Sequence, residues 1–360
     1  MAIVTAKYSQ EDLNAILRGF KVDTREYAFQ PLTAGYINDT FLVISEKTPV
    51  FVLQRVNHNV FENIEGLMTN IDRAFKHLKA TDYTQIKLMP AASGKAYLSH
   101  TSGYWRVMTY IADSTTHNVT TDPDIAFEAG RIIGRFHTLL QHQPLMQYRD
   151  TIPKFHDLEL RRMQFLAALA KASDDKKEIA GSAIFFSQEM LETLTGMNTK
   201  KLPQRVCHND TKLNNILFSK ATRKALCLID LDTLMTGYFH FDFGDAVRTI
   251  VNTASEDEQD HSKINFEKQL FESFIDGLAS NGPFLKKEEI QALAYGVILM
   301  PFLHGLRALT DYLNNNIYYK VTYENQNLDR CLSLFDFTKK AFKNLQYMER
   351  EIAKSIKALS

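Results

Sequence analysis

Hydrophobic spacing divides the chain in two. In the first third short β-rich runs predominate, and from Asp122 onward apolar residues recur every three or four positions, the period of amphipathic helices. Two helices interrupt the strand-rich part. "SQEDLNAILRGF" opens on Ser9 with acids in its first turn, and residues 60–80 carry Phe61, Ile64, Leu67, Met68, Ile71, Phe75 and Leu78 at helical spacing. "GYINDTFLVIS" and "FVLQRVN" flank an "EKTP" turn and read as an antiparallel hairpin; "IKLMPAASGKAYLS" and "YWRVMTYI" read as two more strands. Asp122-Pro123 supplies a cap and a first-turn proline for the helix that follows. The helical part has one exception, residues 205–245, where "RVCHND", "NNILF" and "ALCLIDLD" are short apolar runs broken by polar residues. Loops and short strands inside a helical scaffold are where a site is expected.

Length and charge narrow the partners. A chain of 360 residues exceeds one ordinary core, so one large domain or two unequal ones are expected. Forty-two basic side chains balance forty-two acidic ones without a block of either sign, which predicts no nucleic-acid or anionic-membrane partner and favours a small or neutral one. The longest apolar run, around "YGVILMPFL", is half a membrane span and the first residues lack a signal pattern, so a soluble, cytoplasmic protein is expected. Cys207, Cys227 and Cys331 form no CxxC pair and are odd in number; they read as reduced core residues.

The candidate chemistry lies in "RVCHNDTKLNNILF". His208, Asp210 and Asn215 stand at H-x-D-x-x-x-x-N spacing, the arrangement of a kinase catalytic loop, where the carboxylate accepts the acceptor's hydroxyl proton and the amide oxygen turns back to magnesium. Such a loop needs a second aspartate, delivered by a strand, for the metal. "HFDFGDA" contains the tripeptide Asp242-Phe243-Gly244, but what precedes it lacks buried-strand character. Asp230 instead ends the apolar run "KALCLID", and a hairpin of "NNILF", the turn "SKATRK" and "ALCLI" would bring it beside Asn215. Asp230 is therefore the expected metal ligand, and Asp242 a buried carboxylate that caps backbone N–H groups. Asp232 reads either as a further contact to the metal or as a solvated turn residue.

"HNDTKLNNIL" and "LIDLDT" followed by "FDFGDAVR" resemble the aminoglycoside phosphotransferase and choline kinase superfamily, and within it most of all the N-acetylhexosamine 1-kinases. The resemblance implies an α+β, two-lobed protein-kinase-like fold, with residues 1–111 as the nucleotide-binding lobe and 112–360 as the catalytic and acceptor-binding lobe. It also implies ATP and Mg2+ as cofactors, and a sugar phosphorylated at its anomeric hydroxyl. Asp210 would be the base, Asn215 and Asp230 the metal ligands, and Arg307 and Tyr318 sugar contacts; Arg307 and Asp311 lie four apart on one helix face, and the plainer alternative for Arg307 is a salt bridge between them.

The small lobe departs from a protein kinase in two places. "LTAGYINDTFLV" holds only Gly35 of a glycine-rich loop, and strand alternation puts Gln54 where a lysine should meet the phosphates. An amide cannot offset phosphate charge as an ammonium does. The hinge should follow "YWRVMTYIADS", with backbone groups of Tyr110 and Ile111 on the adenine edge, Asp113 near ribose or sugar hydroxyls or capping a helix approach, and Trp105 in the core. Two other readings stay open: a related kinase for another small hydroxyl acceptor such as choline, homoserine, methylthioribose or an aminoglycoside, and a catalytically silent kinase-like binding module.

Overall fold

In a computed structural model, which describes residues 8–32, 37–195 and 202–359, the chain divides into two compact units. The first comprises residues 1–114 together with 146–152, and the second residues 115–145 and 153–360. The expected second region, 112–360, therefore gives up two short stretches to the first unit. Reciprocal hydrogen bonds hold the returning segment: Asn70 Nδ2 donates to Arg149 O at 2.7 Å and Arg149 N donates to Asn70 Oδ1 at 3.0 Å. No periodic signal marks such a return.

The first unit is an antiparallel sheet with two helices. Helix Gln10–Leu17 starts in a capping box in which Ser9 and Asp12 satisfy each other's backbone N–H groups. Strands β1 (Ala28–Leu32), β2 (Asp39–Ser45), β3 (Thr48–Val56), β4 (Leu88–Met89), β5 (Leu98–His100) and β6 (Gly103–Thr109) pair in the order β1-β2-β3-β6-β4, with β5 also on β6. The β2–β3 turn runs through Glu46 and Lys47, both at positive φ, which suits the right-handed twist of a two-residue hairpin. "IKLMPAASGKAYLS" forms two short strands, not one. Phe41, Val43, Leu53, Trp105 and Val107 build the core on one sheet face, and Trp105 is fully buried there. Helix Ile64–His77 buries Ile64, Leu67, Met68, Ile71 and Phe75, the spacing that predicted it.

The second unit is helical around two small β elements. Helix Pro123–Leu140 begins on the Asp122 cap, whose side chain accepts from Asp124 N. It crosses helix Lys268–Ala279 at Gly130 and Gly277; a Cβ on either would stand 1.9 Å from a backbone oxygen of the other helix. Strands Ile216–Ser219 and Ala225–Leu228 form the expected hairpin, and Arg205–Cys207 pairs with Met235–Gly237. Helix Lys287–Leu313 is long and apolar enough to cross a membrane, but 78% of its most apolar window is buried inside the protein, so it is the core helix of this unit. All three cysteines are free and buried.

Candidate active site

The H-x-D-x-x-x-x-N segment is a loop followed by one turn of tight helix, and its residues are tied at both ends. Asn215 Nδ2 donates to the backbone O and to Oδ2 of Asp210, each at 2.8 Å. The amide therefore turns its Oδ1 away from the loop. Lys212 Nζ lies 3.0 Å from the same Asp210 oxygen. Burial would lower the Lys212 ammonium, but the carboxylates of Asp210, Asp230 and Glu256 hold it well above its ordinary range, so it stays charged. Asp210 keeps 20% of its side-chain surface, so a ligand can reach it.

Asp242 anchors this loop from below. It sits on helix Phe239–Ile250, is fully buried, and accepts from His208 N at 2.8 Å, Asn209 N at 2.7 Å and His137 Nε2 at 2.9 Å. Burial holds His137 below its ordinary range, against the pull of Asp242, so the ring is neutral and gives its Nε2 proton to the carboxylate. His137, Cys207 and Asp242 do bring ligand atoms within 4.8 Å of one another. Both carboxylate oxygens already hold N–H donors, and burial keeps the Cys207 thiol protonated, so the trio is a brace and not a metal site. The DFG-like tripeptide thus serves packing: Phe243 is buried, and a Cβ on Gly244 would stand 2.0 Å from Gly296 O of helix Lys287–Leu313.

The hairpin delivers Asp230 to the same loop. Ile229 N donates to Asn215 O at 2.9 Å, and Ile229 O accepts from His208 Nε2 at 2.9 Å, so the residue before Asp230 is pinned to both ends of the motif. Asp230 and Asn209 take left-handed backbone conformations, φ 61° and 62°, tolerable for Asp and Asn but strained for most residues. Asp232 is 2% exposed, so the solvated-turn reading of it fails.

Arg307 and Asp311 do not pair. Asp311 accepts from the backbone N–H groups of Tyr318 and Tyr319 at 2.8 and 2.9 Å and from Asn327 Nδ2, and so presents the two tyrosines from the end of its helix. Arg307 stacks over Phe155 at 4.9 Å and forms no hydrogen bond or ion pair among the described residues. Beside it lies Arg161, missed from sequence, whose pKa falls to about 10 because of burial and the neighbouring Arg307 charge. Tyr318 and Tyr319 face the same guanidinium, and the Tyr318 side is 55% exposed. No spacing rule could have paired Arg161 with Arg307, which share neither an element nor a register.

In the first unit, Gln54 donates Nε2–H to Thr40 Oγ1 at 2.9 Å and accepts from Arg106. Arg55, next along the strand, bonds Ser102 O at 2.6 Å and Asp39 at 3.2 Å. Tyr110 N donates to Val50 O at 3.2 Å and Ile111 O accepts from Ser114 Oγ at 2.7 Å, so these two hinge groups are already engaged. Asp113 is exposed at φ 50°. Gly35 lies outside the described residues.

Solved structures of similar shape are kinases. A microcompartment-associated aminopropanol kinase aligns over 94% of this chain and 98% of its own at 17% identity and a TM-score of 0.61. A spectinomycin phosphotransferase, solved with ADP and spectinomycin, aligns over 93% and 98% at 12% identity and 0.63. The choline kinase of Cryptosporidium parvum Iowa II aligns over 96% of both chains at 13% identity and 0.55. These likenesses establish a kinase-like fold. The sequence signature of the phosphotransferase enzyme family agrees, matching residues 28–272, so this chain is a member of that family.

Proposed function

We propose that this ATP-dependent small-molecule phosphotransferase acts on the anomeric C1 hydroxyl of an N-acetylhexosamine. Asp210 takes the hydroxyl proton as the C1 oxygen attacks the γ-phosphorus, and the bond to the ADP oxygen breaks. Asn215 Oδ1 and the Asp230 carboxylate are hard oxygen donors of the kind magnesium prefers, and would hold it. When bound, that ion neutralises charge building on the phosphate oxygens. Lys212, kept charged by Asp210 and Asp230, adds a fixed positive group at the base.

The observation that carries the acceptor reading is the pairing of Arg161 with Arg307 near Tyr318. Two guanidiniums with no carboxylate on Arg307 repel a cationic acceptor, which disfavours choline and aminoglycosides, and they suit the oxygens of a neutral polyol. The closeness of "LIDLDT" and "FDFGDAVR" to the N-acetylhexosamine kinases supports the acetylated sugar.

Coupled ADP release over N-acetylglucosamine, N-acetylgalactosamine, glucose, choline and an aminoglycoside tests this, with 31P NMR reading the phosphorylated position. Turnover with the acetylated sugars and a C1 phosphate is expected; turnover on a cationic acceptor alone refutes the reading. Asp210→Asn should lower kcat by about a hundredfold or more while ATP affinity holds.

A further inference from the structure

Arg161 and Arg307 crowd the candidate acceptor seat, and guanidiniums only donate hydrogen bonds. Every sugar hydroxyl also carries a proton that needs an acceptor, and Asp210 answers only for the one at C1. Glu256 supplies a second acceptor. It lies in the connection between helices Phe239–Ile250 and Lys268–Ala279. Gln259 pins that connection to the start of helix Gln326–Lys343, donating to Tyr323 Oη at 3.0 Å and to Asp329 Oδ2 at 2.9 Å. Glu256 Oε1 accepts from Arg248 Nη1, and Oε2 accepts from Arg330 Nη2 at 2.5 Å. Arg248 also donates to Asp245 Oδ1 at 2.7 Å, and Arg330 stacks over the Tyr319 ring at 4.9 Å, beside Tyr318. Burial would raise the Glu256 carboxyl, but Arg248, Arg330 and His304 outweigh it and keep the group ionised. Lys212, the partner of Asp210, feels the same charge. Glu256 therefore stands near the lysine of the base on one side, and on the other near His304, a neighbour of Arg307. A carboxylate offers about four lone-pair sites, of which the two guanidiniums take two. The Glu256 side chain keeps 30% of its surface, so a hydroxyl can reach the rest. Two guanidiniums balance its charge, so it can accept from a hydroxyl without drawing a cationic acceptor.

We propose that Glu256 is a specificity-determining residue, which accepts a hydrogen bond from a hydroxyl of the acceptor sugar away from C1 while Arg248 and Arg330 aim its oxygens. The inference rests on the sugar reading of the acceptor and is independent of how ATP is held.

Comparing kcat/KM for the better of N-acetylglucosamine and N-acetylgalactosamine with that for its 3-, 4- and 6-deoxy analogues separates a sugar contact from a structural prop. The wild type should lose about tenfold or more on one analogue, the loss expected of a hydrogen bond to a charged group. Glu256→Ala should fall by about the same factor with the parent sugar, keep its ATP affinity, and treat that analogue and the parent alike to within about threefold. Glu256→Gln keeps the shape and a neutral acceptor, so the gap between parent and analogue should narrow; this variant decides the matter if Glu256→Ala does not fold. A gap as wide as the wild type's in either variant, complete loss of turnover on every sugar alike, or a wild type indifferent to each deoxy position overturns the proposal. A wild type that phosphorylates neither acetylated sugar sinks the sugar reading and this inference with it, whereas a sugar kinase without the coupling sinks the inference alone.

Discussion

Burial decides which job a carboxylate can do, and Asp210 and Asp242 show both outcomes. Asp210 keeps solvent contact beside Asn215 Nδ2 and Lys212 Nζ, which leaves its carboxylate open to the acceptor hydroxyl that the proposed function brings to it. Asp242 is sealed from water with three N–H donors on its two oxygens, so its carboxylate holds shape instead. Asp242→Asn puts an NH2 group against one of those donors and leaves a buried pair of donors facing each other. The loss should be at least about 2 kcal/mol in unfolding free energy, read by urea denaturation, with kcat falling as the loop loosens. An unchanged midpoint would show that Asp242 does not brace the loop. Asp210→Asn, in its half-wet setting, should move the same midpoint by less than about 1 kcal/mol.

Helices and strands differed in how plainly they announced themselves. The hairpin carrying Asp230 was legible because turn residues separate two short apolar runs, and helix Pro123–Leu140 because a cap and a proline fix its start. Helix Phe239–Ile250 was not, since it is buried nearly all round and so shows no polar face. The site followed the same logic: Asp210, Asn215 and Asp230 lie in one loop–hairpin and could be placed from spacing, whereas Arg106, Arg161 and His137 reach their partners through strand register and helix packing. Helix crossing also explains the tripeptide glycine. A Cβ at Gly244 would meet Gly296 O at 2.0 Å, and one at Gly296 would meet His240 O at 2.1 Å. Backbone cannot yield as a side chain tip can, so Gly244→Ala or Gly296→Ala should cost about 1–3 kcal/mol or more and lower Tm. Gly181→Ala, where a Cβ meets nothing within 4 Å, is the control and should change stability by less than about 1 kcal/mol. Equal effects at all three positions would refute the close-crossing argument.

Across the larger unit as a whole, buried histidines set the acid limit of the fold. Burial lowers His156 to about 3, His240 to about 3 and His304 to about 4, from an ordinary value of 6.5. Each stays neutral when folded and takes up a proton when unfolded, so the unfolded chain binds more protons below pH 6.5. Stability is then complete above that pH and falls as pH drops toward about 4, by up to about 1.4 kcal/mol per pH unit for each ring. Carboxylates act in a separate window. Burial would raise Asp245, but Arg248 and His304 outweigh it and hold its carboxyl below the ordinary range, so its contribution is lost only below about pH 4. Urea midpoints between pH 7 and 5 therefore isolate the histidines and should fall steeply, and a flat profile would refute the neutral buried rings. His240 offers the sharpest check, because neither ring nitrogen has a hydrogen-bond partner among the described residues and the ring stacks on Tyr238 at 5.8 Å. His240→Phe keeps the stacking and removes one proton from the balance. It should leave stability at pH 7 nearly unchanged, raise it at pH 5, and reduce the slope by up to about 1.4 kcal/mol per pH unit; an unaltered slope would mean that His240 is already charged in the folded protein.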